Sequence, residues 1–328
     1  MQNLKKSAMV VIASAMLLAG AGFRPAEGAK PDLFVIRVPL KTGFNEFTAA
    51  DLKGFYEEEG IKAEFIGLLE GLSVYQMLEQ GLIDVTDGHT DKLTQARLAG
   101  IKVKAVLPGM VDHPKLPHVR YYAREDGPIE TLDDIVGKKV GISNYAACND
   151  GYLKAYLNKR GIEGEVEWVV LPKAGQMEQA LSQGLIDLST THPPFASLVV
   201  NAGGSKQVAS TWDLYNSPGA GLSIRAFHED FLAAHPEEVK AFSRAMYKTR
   251  KWINENPNEA IPLVSEALGL DPAKVNVELD TFWFSEEPGI KKEDIELWFE
   301  ISESLGYWNH GDIEPEEVFT NEFDPTGK

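Results

Sequence analysis

The chain has 328 residues, 44% of them hydrophobic and 25% charged, which is enough apolar material for a globular core in roughly two domains of about 150 residues. Its 29 glycines and 18 prolines are ordinary fractions and exclude collagen-like or low-complexity architecture. Acidic residues outnumber basic ones by 49 to 32, a net charge of −17; such a surface repels phosphate backbones, and with no long Lys/Arg cluster to offset it nucleic acid is excluded as a partner. The single cysteine, Cys148, rules out a disulfide framework, and its isolation argues against a thiolate metal site.

The N-terminus MQNLKK carries two lysines. It is followed by the run SAMVVIASAMLLAGAGF (residues 7–23) and then by small residues. This is the charged, apolar and small-residue order of a secretory signal, with Ala26 and Gly28 suited to positions −3 and −1 of a cleavage site, so residues 1–28 are expected to be removed. The competing reading, a membrane anchor, needs a longer run free of Ser, Gly and Ala. No cysteine follows the run, so a lipid-anchored N-terminus is not expected. Nothing else in the chain approaches ~18 uninterrupted apolar residues. The expectation is a soluble protein of the periplasm.

From there strands and helices alternate. LFVIRV (33–38) reads as a β-branched strand. Thr48 with Asp51 three residues on forms a capping-box pattern, opening a helix that runs to the stop at Gly60, and 61–66 reads as a second strand. Ser73 with Gln76 repeats the capping pattern, Gly81 stops that helix, and 82–86 is the third strand. This β-α-β-α-β order predicts a mostly parallel sheet covered by helices. A shift of 103 then superimposes the chain on itself: Phe65 falls on Trp168, Leu68 on Leu171, Gln-Gly-Leu-Ile-Asp at 80–84 on the same five residues at 183–187, and His89 on His192. Two similar α/β lobes follow. The second uses 140–142 as a strand, 149–159 as a helix and 166–170 as the next strand. The C-terminal third changes to helices at 229–253, 258–268 and 292–305, divided by Pro and Gly. Phe231, Val239, Phe242, Met246 and Ile253 recur at helical spacing.

In open parallel sheets, ligands bind beyond the C-terminal ends of the strands, and two such lobes set two such edges across a cleft. The candidate loops are 41–47, 69–73 and 86–90 in lobe one, and 143–149, 173–176 and 189–195 in lobe two. They supply Phe44, Asn45, Glu70, Gly71, His89, Thr90, Asn144, Tyr145, Cys148, Lys173, Gln176, His192 and Phe195 as candidate ligand residues; Trp212 and Tyr215, where the chain leaves lobe two, are added as cleft-lining aromatics or hinge-packing residues. Glu70 and Lys173 occupy equivalent places with opposite charge, and each is otherwise a solvated loop residue. A lone histidine is usually structural, and it is the matched placement of His89 and His192 that makes them candidates. The loop before the helix at 149 offers free N–H groups to an anion or a carbonyl oxygen. Cys148 there is either an activated thiol or a small, inert core residue.

Four segments carry a family resemblance: KGFYEEEGIKAEF (53–65), MLEQGLIDV (77–85), LDDIVGKKVGI (132–142) and HPEEVKAFSRAMYKTRKWINENPNEA (235–260). In order and spacing the chain resembles the periplasmic solute-binding proteins of ABC importers, in the branch that binds nitrate, sulfonates, taurine or thiamine-pyrimidine precursors. The resemblance implies a type II periplasmic binding protein fold, with two lobes, each a mixed, mostly parallel sheet flanked by helices, and a ligand cleft between them. It implies lobe one at 29–120, lobe two at 121–214, and a return to lobe one over 215–328, with crossovers near Tyr121 and Tyr215. It also implies capture of a small organic solute for a membrane permease by a monomer, with no cofactor and no metal. Relatives that bind sulfonates carry a hydroxyl-rich turn where this chain has Asn144-Tyr145-Ala146-Ala147-Cys148, which favours a planar or aromatic solute. The alternatives are an enzyme on the same fold, acting on a small aromatic or sulfur-containing substrate, and a ligand-sensing receptor without a transport role. Against an enzyme, one cysteine cannot supply a clustered-cysteine motif, and no paired-ligand or nucleophile-elbow motif is present.

Overall fold

The computed structural model of the protein describes residues 32–327, except 42, 43, 69–72, 146, 163, 174 and 270. The expected signal at 1–28 and two candidate residues, Glu70 and Gly71, lie outside the described residues. Among the described residues no helix is long and apolar enough to cross a membrane.

In chain order the elements are β1 (Phe34–Leu40), α1 (Glu46–Leu52), α2 (Phe55–Glu58), β2 (Ile61–Leu68), α3 (Ser73–Glu79), β3 (Val85–His89), α4 (Thr90–Leu98), β4 (Val103–Pro108) and β5 (Met110–Val111). Next come β6 (Arg120–Arg124), β7 (Lys139–Ile142), α5 (Tyr152–Lys159), β8 (Glu167–Val170), α6 (Gln176–Ser182), β9 (Leu188–Thr191), α7 (Ala196–Ala202), β10 (Ser205–Ser210) and α8 (Thr211–Tyr215). The last part holds β11 (Ser223–His228), α9 (Glu229–Ala234), α10 (Pro236–Glu255), α11 (Pro257–Ala267), β12 (Trp283–Phe284), α12 (Lys292–Ser304) and α13 (Pro315–Val318).

The strands form two groups with the same plan. In the first, β1 pairs with β2 in parallel, and β11 lies antiparallel between β3 and β4; the Asp84 N–H donates to the Arg37 carbonyl (2.9 Å) and ties β3 to β1. The second is a five-stranded sheet in the order β10-β6-β9-β7-β8, in which β6 is antiparallel to both its neighbours. Substituting β2, β1, β3, β11 and β4 for β8, β7, β9, β6 and β10 maps one group onto the other. The inserted strands β6 and β11 both follow a passage of the chain between the two groups, over 112–119 and 216–222.

The repeated Gly-Leu-Ile-Asp explains itself at this level. Gly81 and Gly184 both adopt positive φ (63° and 68°), a conformation that costs glycine least. Each closes its helix with the same pair of backbone bonds: Gly81 to Leu78 (3.0 Å) and Leu82 to Met77 (2.9 Å), Gly184 to Leu181 (3.1 Å) and Leu185 to Ala180 (2.9 Å). This is the Schellman arrangement. Leu82 and Leu185 remain exposed, whereas Ile83 and Ile186 enter the core. Asp84 then accepts the Arg37 N–H (2.7 Å) and Asp187 the Lys139 N–H (3.0 Å), clamping the third strand of each group to its first. Because residues 82–84 serve the turn and the clamp, β3 begins at Val85 rather than at 82 as the pattern predicts.

Two other boundaries move for local reasons. The first helix is capped by Asn45, whose Oδ1 accepts the Thr48 N–H (2.9 Å), so it starts before Thr48. It breaks at Gly54, in the left-handed conformation, before α2. The helix expected at 229–253 divides at His235, because Pro236 starts α10 as a first-turn residue. Along α10 the positions Val239, Phe242, Met246 and Ile253 are buried as their spacing predicts. Val239, Phe242 and Met246 pack with Ile36, Val38, Phe47, Tyr56 and Phe227 under the first strand group, while Ile253 joins Phe44, Ala49 and Ile261 in a neighbouring cluster. The second sheet packs Tyr122 of β6 and the nearby Ile186 against Leu181 of α6 and Val199 of α7.

The two passages between the groups lie side by side. Asp112 donates its N–H to Pro218 (2.8 Å), while its Oδ1 accepts the His118 N–H (2.5 Å) and the Thr211 hydroxyl (2.9 Å). At Gly221 a Cβ would come within 2.7 Å of the Val111 carbonyl carbon. Trp298 of α12, fully buried, locks the junction by donating Nε1–H to the Gly219 carbonyl (2.7 Å).

Candidate functional site

The strand ends of both groups face a common cavity of about 470 Å³. Lys41, Phe44 and Asn45 follow β1, Asp87 and His89 come from β3, and Ser223 and Arg225 come from β11. From the other side Ser143, Asn144 and Cys148 follow β7, Lys173 follows β8, and Thr190, Thr191, His192 and Phe195 lie at and after the end of β9. Phe44, Met110, Phe284, Leu171 and Met177 give the wall an apolar body. A larger groove of about 730 Å³ runs past His113, Leu116, Ile253, Phe282 and Trp283; it lacks the convergence of strand ends that the cleft has, and none of the candidate residues lines it.

A charge network sets one wall. Arg225, 2% exposed, donates Nε–H to Glu46 (2.5 Å) and lies 3.6 Å from Asp87, which is also paired with Lys41. Burial pushes the Asp87 carboxyl up, but Lys41 and Arg225 outweigh it and hold the group below its ordinary value. Tyr75, 2% exposed, turns its hydroxyl into this region with no hydrogen-bond partner.

Beneath the cleft three imidazoles form a chain. The ring of His118 meets those of His89 (4.8 Å, 76°) and His192 (5.0 Å, 84°) edge to face. His89 stacks on Trp298 (4.7 Å, 19°), and its Nδ1 bonds to the Leu222 carbonyl (2.7 Å). A carbonyl only accepts, so Nδ1 carries the proton and Nε2 keeps a lone pair. Burial pushes the pKa of all three down, that of His192 to about 4, so the rings are neutral at pH 7. Burial likewise pushes the Cys148 thiol up to about 12. Among the described residues, His89, His118 and Cys148 are a group whose ligand-capable atoms lie within 4.8 Å of one another.

The expected residues divide on this geometry. Phe44, Asn45, His89, Asn144, Cys148, Lys173, His192 and Phe195 line the cavity. Thr90 is buried at the start of α4 with its hydroxyl unpartnered. Gln176 turns its Oε1 to the Lys173 N–H (3.0 Å) and lines a separate surface hollow. Tyr145 stands exposed above Lys154. Trp212 and Tyr215 lie on α8, away from the cavity wall, and Tyr215 donates its hydroxyl to the Tyr152 carbonyl (3.2 Å). The approach to α5 is a wide π-type turn, Ala147–Gly151, in which Asn149 donates to Asn144 (2.7 Å) and Ser143 (3.2 Å). Asp150 stands in that turn, paired with Lys154 (2.6 Å), and its negative charge opposes anion capture there.

The sequence matches the family described as NMT1/THI5 like over residues 41–260, which takes in every strand of the two groups except β1. The chain belongs to that family. It is 26% identical over 274 residues to a putative aliphatic sulfonates-binding protein of Bacillus subtilis, covering 82% of this chain and 80% of the relative. The fold matches the periplasmic aliphatic sulphonate binding protein SsuA of Escherichia coli with a TM-score of 0.70 at 16% identity, over 88% of this chain and 98% of that one. It also matches the desulfurization enzyme DszB, with a TM-score of 0.62 at 14% identity, over 90% of this chain and 98% of the enzyme. The architecture is that of periplasmic binding proteins.

Within this family member, sequence reasoning overlooked Tyr75, Asp87, His118 and Arg225. Asp87 lies two residues before His89 on β3, a pleat repeat that puts both side chains on one face, and this was the available signal. Arg225 and His118 had none, since one sits on the inserted antiparallel strand and the other in the passage leading to β6.

Proposed function

We propose that the protein is an extracytoplasmic solute-binding protein that captures a small organic solute in the cleft and delivers it to the membrane subunits of an ABC importer. The observation that carries this reading is the cavity itself, lined largely from the C-terminal strand ends of two matching strand groups, where open α/β sheets bind ligands. Closure about the paired passages 112–119 and 216–222 would trap the solute; on this reading lobe one holds 29–120 and 215–328 and lobe two holds 121–214. The sulfonate-binding relatives and the mixed wall support an anionic organic solute with an apolar body, an aliphatic sulfonate or an aromatic acid. Phe44, Met177 and Phe284 would hold the body, and His192, Lys173 and Tyr75 the polar end. The sulfonate-binding relatives also support a periplasmic location.

An enzyme on this fold is the second reading, supported by the likeness to DszB. The thiol argues against it, because a cysteine pushed up to about 12 is not a thiolate nucleophile at neutral pH.

A thermal-shift screen of the purified chain against alkanesulfonates, taurine, nitrate, aminopyrimidines and aromatic carboxylates tests the proposal. A ligand at 1,000-fold over its Kd adds about 4 kcal/mol, or roughly 8 °C at ~2 °C per kcal/mol. The expected result is a shift from one of the two anionic classes. A shift from none of them, with no small molecule released on denaturing the protein, would overturn the proposal.

A further inference from the structure

The chain of imidazoles under the cleft leaves donors unused. His118 is 3% exposed and neither of its ring nitrogens has a hydrogen-bond partner, and Nε2 of His192 is buried without one. Buried polar atoms are nearly always satisfied, and each unsatisfied one costs about 1–3 kcal/mol. Two unpartnered nitrogens on one buried ring, aimed among other donors, therefore point to a missing partner. His89 is oriented as a metal-bound histidine is, with Nδ1–H on a backbone carbonyl and Nε2 left free. Cys148 adds a sulfur, and the ligand-capable atoms of His89, His118 and Cys148 lie within 4.8 Å of one another.

We propose that His89, His118 and Cys148 form a binding site for one divalent cation of the zinc class at the base of the cleft. Two imidazoles and a thiolate select zinc, cobalt, nickel or copper over calcium and magnesium, which take oxygen ligands. On binding, the Cys148 S–H bond gives way to a sulfur–metal bond and the proton leaves to solvent. Bonds of about 2.0 Å to nitrogen and 2.3 Å to sulfur put tetrahedral donors about 3.3–3.5 Å apart, so the widest pair of the three draws together by up to about 1.5 Å. His89 ends a strand of the first group, Cys148 follows a strand of the second, and His118 lies on the passage between them, so approach of the two groups supplies that contraction. Three protein donors leave a four-coordinate ion one further position, and His192 is the next donor along the chain of rings.

The test uses the metal alone, without an organic solute, and so is independent of the solute-binding reading. Full-length protein stripped with EDTA is titrated with zinc chloride against a chromophoric chelator, and in parallel with cobalt chloride under absorption spectroscopy. One equivalent should bind, and the cobalt form should show a thiolate-to-cobalt charge-transfer band in the near ultraviolet. Cys148→Ser should abolish that band, and His118→Gln should weaken zinc binding about tenfold or more, with the far-ultraviolet circular dichroism of both variants unchanged. Absence of stoichiometric uptake would overturn the proposal. So would uptake that survives Cys148→Ser undiminished with no charge-transfer band in the parent protein, which would assign the metal to surface histidines. Should His118→Gln fail to fold, Cys148→Ser and the cobalt spectrum decide alone.

Discussion

Arg225 and Glu46 are among the most deeply buried charges in the protein, 2% and 0% exposed with 2.5 Å between Nε and Oε1. Burial pulls the guanidinium toward neutrality, and the carboxylates of Glu46 and Asp87 more than restore it, raising its pKa. Removing one member of such a pair strands the other, at about 3–5 kcal/mol. Arg225→Met takes from Glu46 its hydrogen-bonded partner and leaves it only the nearby charge of Arg250; it should cost about that amount, a fall of roughly 6–10 °C in Tm at ~2 °C per kcal/mol. Glu46→Leu leaves Arg225 the more distant Asp87, 3.6 Å away, and should cost less, about 2–3 kcal/mol. The double variant Glu46→Leu/Arg225→Met removes both charges and should be more stable than Arg225→Met alone. Urea unfolding of the four proteins measures this cycle. Additive losses, or a loss under about 1 kcal/mol for Arg225→Met, would refute the view that mutual neutralisation holds this wall of the cleft.

Asp84→Ala removes a 5%-exposed clamp on β1 and should lower the unfolding free energy from urea titration by about 2 kcal/mol, whereas Asp187→Ala, at the half-buried equivalent, should cost about 1 kcal/mol. His192 has its pKa lowered to about 4 from 6.5, so its neutral form stabilises the fold above pH 6.5, and that contribution is lost as the pH falls from 6.5 to 4. Asp112 is pushed up to about 7, chiefly by burial, and therefore opposes this trend by losing stability as the pH rises through the same range. The readout is thus the stability difference between the parent and His192→Gln, which should shrink by about 3 kcal/mol from pH 7 to pH 4; a pH-independent difference would contradict the burial of that ring. In metal-free protein at pH 8, Cys148 should react with a thiol reagent far more slowly in the native than in the urea-unfolded chain, and equal rates would show that the thiol is not suppressed.

Much of the architecture was legible because it is periodic. The Gly-Leu-Ile-Asp repeat marks a turn and a clamp that each strand group requires, so one duplicated function fixed the same residues twice. The same offset relates His89, the last residue of β3, to His192, the first residue after β9. The apolar stripe of α10 was readable because a helix buries residues at 3.6-residue spacing. The rest depends on long-range partners. The Arg225 guanidinium is defined by Glu46, distant in sequence, and His118 by rings at 89 and 192. The cap at Asn45 was hidden by the better local pattern at Thr48 and Asp51. Their place near a crossing left Trp212 and Tyr215 as either cleft-lining or hinge-packing aromatics, and α8 directs Tyr215 away from the cleft toward Tyr152.

The central claim, one solute enclosed between two sheets, is tested most directly by small-angle X-ray scattering of the protein with and without the solute selected by the thermal screen. The radius of gyration should fall on saturation, at one solute per chain, and His192→Trp, which fills the cleft, should abolish both the binding and the compaction. Tight binding with an unchanged radius of gyration, or binding that His192→Trp leaves intact, would contradict it.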